Sequence, residues 1–127
     1  MKVNLPVAIL CIGFVLFFAL SCSKTSEDKL GSGGSTCDTV NMKYSTDVVP
    51  ILQANCYSCH GEGNTAGSGG ISLDGYVNLK KYADDGYLRG NITHAPGFIG
   101  MPFGKPKMDD CSINKIIDWI NRGSQND

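Results

Sequence analysis

Five consecutive residues, Cys56-Tyr57-Ser58-Cys59-His60, constrain this chain more than any other stretch of it. Two thiols three positions apart share one face of a helical turn, and a histidine follows directly, so three ligating side chains are committed to one small volume. A C-x-x-C pair has other uses. A zinc site needs two more Cys or His ligands, usually as a second close pair, and no such pair follows. A thioredoxin-type dithiol follows a strand and opens a helix in an alternating strand-helix chain, which the surroundings of Cys56 do not offer. With the contiguous His60, the pattern is that of covalent c-type haem attachment, in which Cys56 and Cys59 add to the porphyrin vinyls and His60 ligates the iron.

The other four of the six cysteines are assigned without competing for that site. Cys11 lies in the apolar run Leu5 to Leu20, which follows Met1-Lys2 and ends on small residues, the layout of an export signal over residues 1–21. At about 16 residues the run is short for a spanning helix, which needs about 20. It closes Phe18-Ala19-Leu20-Ser21-Cys22, which resembles the lipobox of bacterial lipoproteins, although Ala19 stands where Leu is usual. The resemblance implies that Cys22 is lipidated and becomes the mature N-terminus. Simple cleavage and an uncleaved anchor are the alternatives. An acyl anchor would hold the domain at a membrane surface without crossing it. Cys37 and Cys111 flank the haem motif in a compartment where thiols oxidise, which predicts a disulfide, with two buried free cysteines as the alternative.

Residues 22–36 carry hardly an apolar side chain and read as a flexible Gly/Ser tether; about 14 such residues reach roughly 20 Å. Residues 37–123 are the expected domain and 124–127 a C-terminal tail. The domain is small, and a covalently held porphyrin gives its helices an apolar plate to pack on. The net charge is -1, made more negative by the loss of Lys2 with the signal. That balance excludes nucleic acid as an expected partner, because phosphate binding calls for a basic face.

Tyr44-Ser45-Thr46-Asp47 supplies capping side chains for a helix that runs into Cys56, with Pro50 tolerated near its first turn. Val48, Leu52 and Cys56 recur every fourth residue, so the attachment cysteine shares a face with core positions. Gly61 to Gly70 holds five glycines and reads as a mobile connector beside the haem edge. A phosphate loop is excluded there, since no Lys-Ser or Lys-Thr follows and no strand precedes. Ile71 to Gly75 reads as a brief extended piece, followed by weak helices over Tyr76–Tyr82 and Tyr87–Ile92. Asp109 or Asp110 caps a final helix whose Ile113, Ile116, Ile117 and Ile120 follow the i, i+3, i+4, i+7 pattern and which Gly123 ends. Trp119 widens that stripe, toward the first helix or the porphyrin.

A low-spin electron-transfer haem needs a ligand on each face. Met101, in the Gly/Pro-rich loop Gly97 to Gly104, is the leading distal candidate, because a thioether stabilises ferrous iron. Met108 would supply the same chemistry, and His94 would give a bis-histidine haem or a hydrogen bond to a propionate. A gap-filling core role for Met101 is the plain alternative.

The stretch Met101 to Cys111, followed by Ile113, Ile116, Trp119-Ile120 and Gly123, resembles the C-terminal signature of small bacterial monohaem cytochromes c, often membrane-anchored lipoproteins. With Val48 to His60, the resemblance covers most of residues 37–123. It implies an all-α, class I cytochrome c-like fold around one covalent haem c, with His60 and Met101 as axial ligands and Met108 at a core position where Leu is common. It implies a one-electron carrier rather than an enzyme, working at the periplasmic or outer cell-envelope surface between a redox protein donor and acceptor. The competing functions are a haem-based small-ligand sensor and a redox enzyme subunit with a labile distal ligand. Lys80, Lys81, Lys105 and Lys107 would form a docking rim for an acidic partner.

Overall fold

Pro50 decides how the first helix begins. Its ring has no N–H to give and clashes with the carbonyl four residues back, so a regular α-turn cannot pass through it unstrained. In the computed structural model, which describes residues 36–127, the chain takes a wide π-turn over Tyr44–Val48 and becomes α-helical only at α1, Val49–Asn55. The Val48 N–H reaches back five residues to the Lys43 carbonyl at 3.1 Å. The export signal, Cys11, the lipidation site Cys22 and the tether up to Ser35 lie outside the described residues.

The turn starts at Lys43, ahead of the side chains expected to cap it, so Ser45 and Thr46 sit inside it. Capping comes from both sides instead. The Asp47 carboxylate accepts the Lys43 N–H at 2.9 Å, and that bond chiefly holds its carboxyl below the ordinary range. The Tyr44 N–H donates to Asp127 Oδ1 at 3.0 Å, and the Ser45 N–H to the Asp127 carbonyl at 3.0 Å.

A short second helix, α2 (Tyr57–His60), follows Cys56. The glycine-rich segment then makes one 3-10 turn at Ala66–Ser68. The piece from Ile71, expected to be extended, joins no strand, and the described residues are helical with no sheet. Helix α3 (Tyr76–Asp84) runs two residues past its expected end, and α4 (Tyr87–Ile92) matches its expected range. Between them Asp85-Gly86 makes the reversal: Gly86 takes φ +82°, and Asp85 Oδ1 accepts the Tyr87 N–H at 3.1 Å. The last helix, α5 (Asp110–Asn121), ends before Gly123, whose φ of +90° suits only glycine without strain.

Val48, Leu52, Leu79, Ile116 and Trp119 form the fully buried centre, joined by Met42, Leu73, Ala83, Leu88, Ile92, Met108 and Ile113. The Trp119 ring meets Tyr44 on the π-turn at 5.9 Å, which settles the direction of that side chain toward the first helix. Tyr44 in turn packs edge-on against Tyr76 at 5.4 Å, so three aromatic rings join α5, the π-turn and α3.

The segment expected to be a tail is part of the fold. Ser124 is buried; its carbonyl accepts the Tyr76 hydroxyl at 2.9 Å, while the Gln125 carbonyl accepts the Trp119 indole N–H at 2.8 Å. Residues 124–127 thus form a strap that satisfies two aromatic donors and the start of the π-turn.

The other end is pinned to α5 as well. Cys37 and Cys111 lie at disulfide distance, with Cα atoms 5.9 Å apart. Met42 is clamped between Asp118, which accepts its N–H at 2.9 Å, and Arg122, which donates to its carbonyl at 2.8 Å. The bridge spans a sequence separation of 74 residues. By the chain-entropy model a loop of that size is worth roughly 4 kcal/mol. Replacing both cysteines by Ser is expected to lower unfolding stability by up to about that amount, read by denaturant titration. The native protein should yield no alkylated thiol at either position until reduced.

Asp109 caps α5: its Oδ1 accepts the Ser112 N–H at 2.9 Å and its Oδ2 the Ser112 hydroxyl at 2.7 Å. The backbone bond first, and the hydroxyl second, hold the carboxyl below its ordinary value of 3.8. A depressed carboxyl stabilises the fold above its unfolded pKa, and the contribution fades as pH falls through the folded value. Asp109→Ala should cost about 1 kcal/mol near neutrality. The gap should narrow below about pH 4, where Asp109→Asn, which caps without titrating, should outlast the parent chain.

Candidate functional site

Residues from four distant stretches of sequence face one apolar cavity of about 590 Å³, a volume in the range of pockets that enclose a small-molecule cofactor. Cys56, Cys59 and His60 stand on its wall together with Met101. Much of the remaining surface comes from Leu73, Leu88, Ile92, Ile99 and Phe103.

The Cys56-to-His60 wall is built by the helix break. After α1 the chain turns at Cys56 and re-enters a helical turn, with the Cys59 and His60 N–H groups both returning to the Cys56 carbonyl at 3.1 and 2.9 Å. The fourfold spacing from Val48 through Leu52 runs from a fully buried core into the cavity at Cys56, as expected from the sequence. Both thiols are free of disulfides. Burial pushes the Cys56 thiol up to about 11, which opposes a redox dithiol, since that chemistry needs a stabilised thiolate.

His60 is fixed by two contacts to one segment. Its ring Nδ1 lies 3.0 Å from the Ile71 carbonyl, and its own carbonyl accepts the Leu73 N–H at 2.8 Å. A carbonyl only accepts, so Nδ1 carries a proton, and in the neutral ring the lone pair lies on Nε2, the tautomer of a metal-ligating histidine. The glycine-rich segment has a definite role in this wall. Ser68 donates its hydroxyl to the Thr65 and Ile71 carbonyls, both at 2.9 Å, so the 3-10 turn secures the residue that orients His60, and Gly67 and Ser68 line the cavity.

The Met101 wall rests on the end of α4. The Asn91 carbonyl accepts the Met101 N–H at 3.0 Å, and the Gly90 carbonyl accepts the Ala95 N–H at 2.9 Å. The Met101–Pro102 peptide is cis. The ring of Phe98 lies directly on Gly90, in space that a Cβ would occupy, and meets Tyr87 edge-on at 6.0 Å. Gly90 and Phe98 carried no sequence signal as a pair, because the contact depends on how the loop folds back over the helix.

The other candidates separate clearly. Met108 is buried in the core away from the cavity, the position expected of it. His94 is absent from the cavity wall; its Nε2 lies 3.0 Å from the Met101 carbonyl, so its partner is the Met loop. Of the expected lysine rim, Lys80 pairs with Asp84 at 2.8 Å and Lys107 with Asp110 at 3.4 Å, leaving Lys105 at the cavity and Lys81 beside Tyr82. Among the described residues no group of three His, Cys, Asp or Glu side chains assembles as a metal cage. No described helix is long and apolar enough to cross a membrane.

Compared with family models, curated proteins and solved structures, the chain gives no match.

Adding a methyl group at Gly90 should drive Phe98 off the helix. Gly90→Ala is expected to lose about 1–3 kcal/mol of stability, the usual cost of overpacking, read by denaturant titration. Gly90→Ala with Phe98→Leu should recover part of the loss.

Proposed function

We propose that the domain from Cys37 onward is a class I cytochrome c-type electron carrier holding one covalent haem c. Cys56 and Cys59 supply the thioether bonds, and His60 and Met101 supply the axial ligands. The observation that carries this reading is the meeting of the C-x-x-C-H residues and a methionine from a separate loop on one apolar cavity. The hydrogen bond from His60 Nδ1 to the Ile71 carbonyl, which fixes the ring and assigns the lone pair of the neutral imidazole to Nε2, supports it independently.

Bound there, haem supplies reversible one-electron exchange at its iron. The residues of the chain do the rest. The two thiols would anchor the group, and the Ile71 carbonyl orients the His60 ring. Leu73, Leu88 and Ile92 give the cavity an apolar lining, which would favour the less charged iron state. Met101, from a separate loop on the same cavity, would supply a second ligand to the iron, which favours electron transfer over catalysis on a bound reactant. Ile99 and Phe103, exposed at the cavity, would offer an apolar surface to redox donor and acceptor proteins.

The Cys37–Cys111 pair fits an oxidising compartment. With the signal-like residues 1–21 and the lipobox-like sequence ending at Cys22, it supports a cell-envelope lipoprotein at the periplasmic or outer-membrane surface, held by a lipid anchor. The near-neutral charge gives no support to nucleic acid as a partner.

Redox-titrated optical spectroscopy on the matured holoprotein tests the assignment. The pigment should survive acidic acetone, and the ferric form should show the weak far-red sulfur-to-iron charge-transfer band. Met101→Ala should abolish that band and open the ferrous form to carbon monoxide while the haem stays attached. A colourless matured protein would overturn the reading, and rapid carbon monoxide binding by the unaltered protein would favour a ligand sensor or a redox enzyme subunit instead.

A further inference from the structure

We propose that His94 is a positioning residue for Met101, tying down the loop that presents the thioether to the cavity; the inference rests on the reading of Met101 as an axial ligand. Its ring Nε2 lies 3.0 Å from the Met101 carbonyl, which can only accept, so His94 donates. On the other side of the same Cα, the Met101 N–H is held by the Asn91 carbonyl at 3.0 Å. The backbone of Met101 is therefore gripped at both its amide and its carbonyl, and the side chain between them has a fixed origin.

Two further observations show that the chain is shaped to make this contact. His94 takes φ +56°, a left-handed conformation that few non-glycine residues adopt, and it does so on the short turn that follows α4. An observed outlier of this kind points to a local task that offsets its strain. The imidazole also lies against Gly100, where a Cβ would stand only 3.0 Å from His94 Nδ1, so the residue preceding Met101 has given up its side chain to admit the ring.

The grip sits on a firm base. The Asn91 carbonyl, one of the acceptors left over at the end of α4, takes the N–H groups of both His94 and Met101, at 3.3 and 3.0 Å. Thr93 donates its hydroxyl to the Arg89 carbonyl at 2.8 Å, and the Phe98 N–H returns to the Ala95 carbonyl at 3.1 Å. Residues 91–101 thus close on themselves, with His94 as the side chain that joins the start of the turn to the methionine. His94 itself does not face the cavity, so it acts on the site through Met101.

The test uses full-length holoprotein and two readouts that a merely structural side chain would leave unmoved: the ferric charge-transfer band as a function of temperature, and carbon monoxide association with the ferrous form. Loss of one hydrogen bond that favours the ligated loop should raise the methionine-free fraction several-fold. His94→Ala is therefore expected to accelerate carbon monoxide association about tenfold and to lose the band well below the unfolding temperature. His94→Gln, whose amide can donate to the same carbonyl, should move both readouts back toward the parent. Gly100→Ala, which presses on the imidazole, should shift them in the same direction as His94→Ala and serves as the test if that variant does not mature. Parent-like behaviour of His94→Ala, or of Gly100→Ala in its place, beside a clear effect of Met101→Ala would overturn the positioning role and leave the axial assignment standing. Parent-like behaviour of Met101→Ala would remove the axial assignment, and this inference with it.

Discussion

An apolar cavity opens beside the packed core, and the fold is organised around that gap. One side is densely packed, with Val48, Leu52, Ile116 and Trp119 excluded from water. The other side is an apolar cavity whose walls do not touch each other. Walls that gain nothing from mutual contact must be held from behind. Behind Cys56 stands the Val48–Leu52 face; behind His60, the Ile71–Leu73 segment and the 3-10 turn; behind Met101, the end of α4. The small domain compensates for its limited core with a long-range sulfur bridge and polar clamps between the two ends of the folded segment.

Much of the polar bonding that holds these walls is made by main-chain carbonyls. Ile71 orients His60, Met101 accepts from His94, Asn91 anchors the loop, and Ser124 and Gln125 satisfy a phenol and an indole. A carbonyl is the same group in every residue. Its use leaves no mark on composition or spacing, which explains where reading the sequence stopped.

The C-terminal helix was legible because burial imposes a period on side chains: Ile113, Ile116 and Trp119 had to be apolar, and Asp109 and Gly123 had to suit a start and an end. The C-x-x-C-H residues and Met101 stood out in the sequence by residue type and spacing, and the structure brings them to one cavity. The π-turn before Pro50 was not, because capping side chains and proline each allowed a helix and only their combination widened it. The strap at 124–127 was also missed, because four polar residues predict solvent unless their backbone is wanted by rings elsewhere. The contact of Phe98 with Gly90 joins a loop to a helix it follows, a relation that sequence adjacency does not express.

The position of the Cys37–Cys111 bridge has a mechanical consequence. Any tension arriving along the chain from before Thr36 enters at Cys37 and crosses sulfur directly into the first turn of α5. The load path bypasses α1, α2 and the cavity walls. A pull on that end would be taken up by the helix that carries Ile113, Ile116 and Trp119 in the core, and the residues lining the cavity would feel almost none of it.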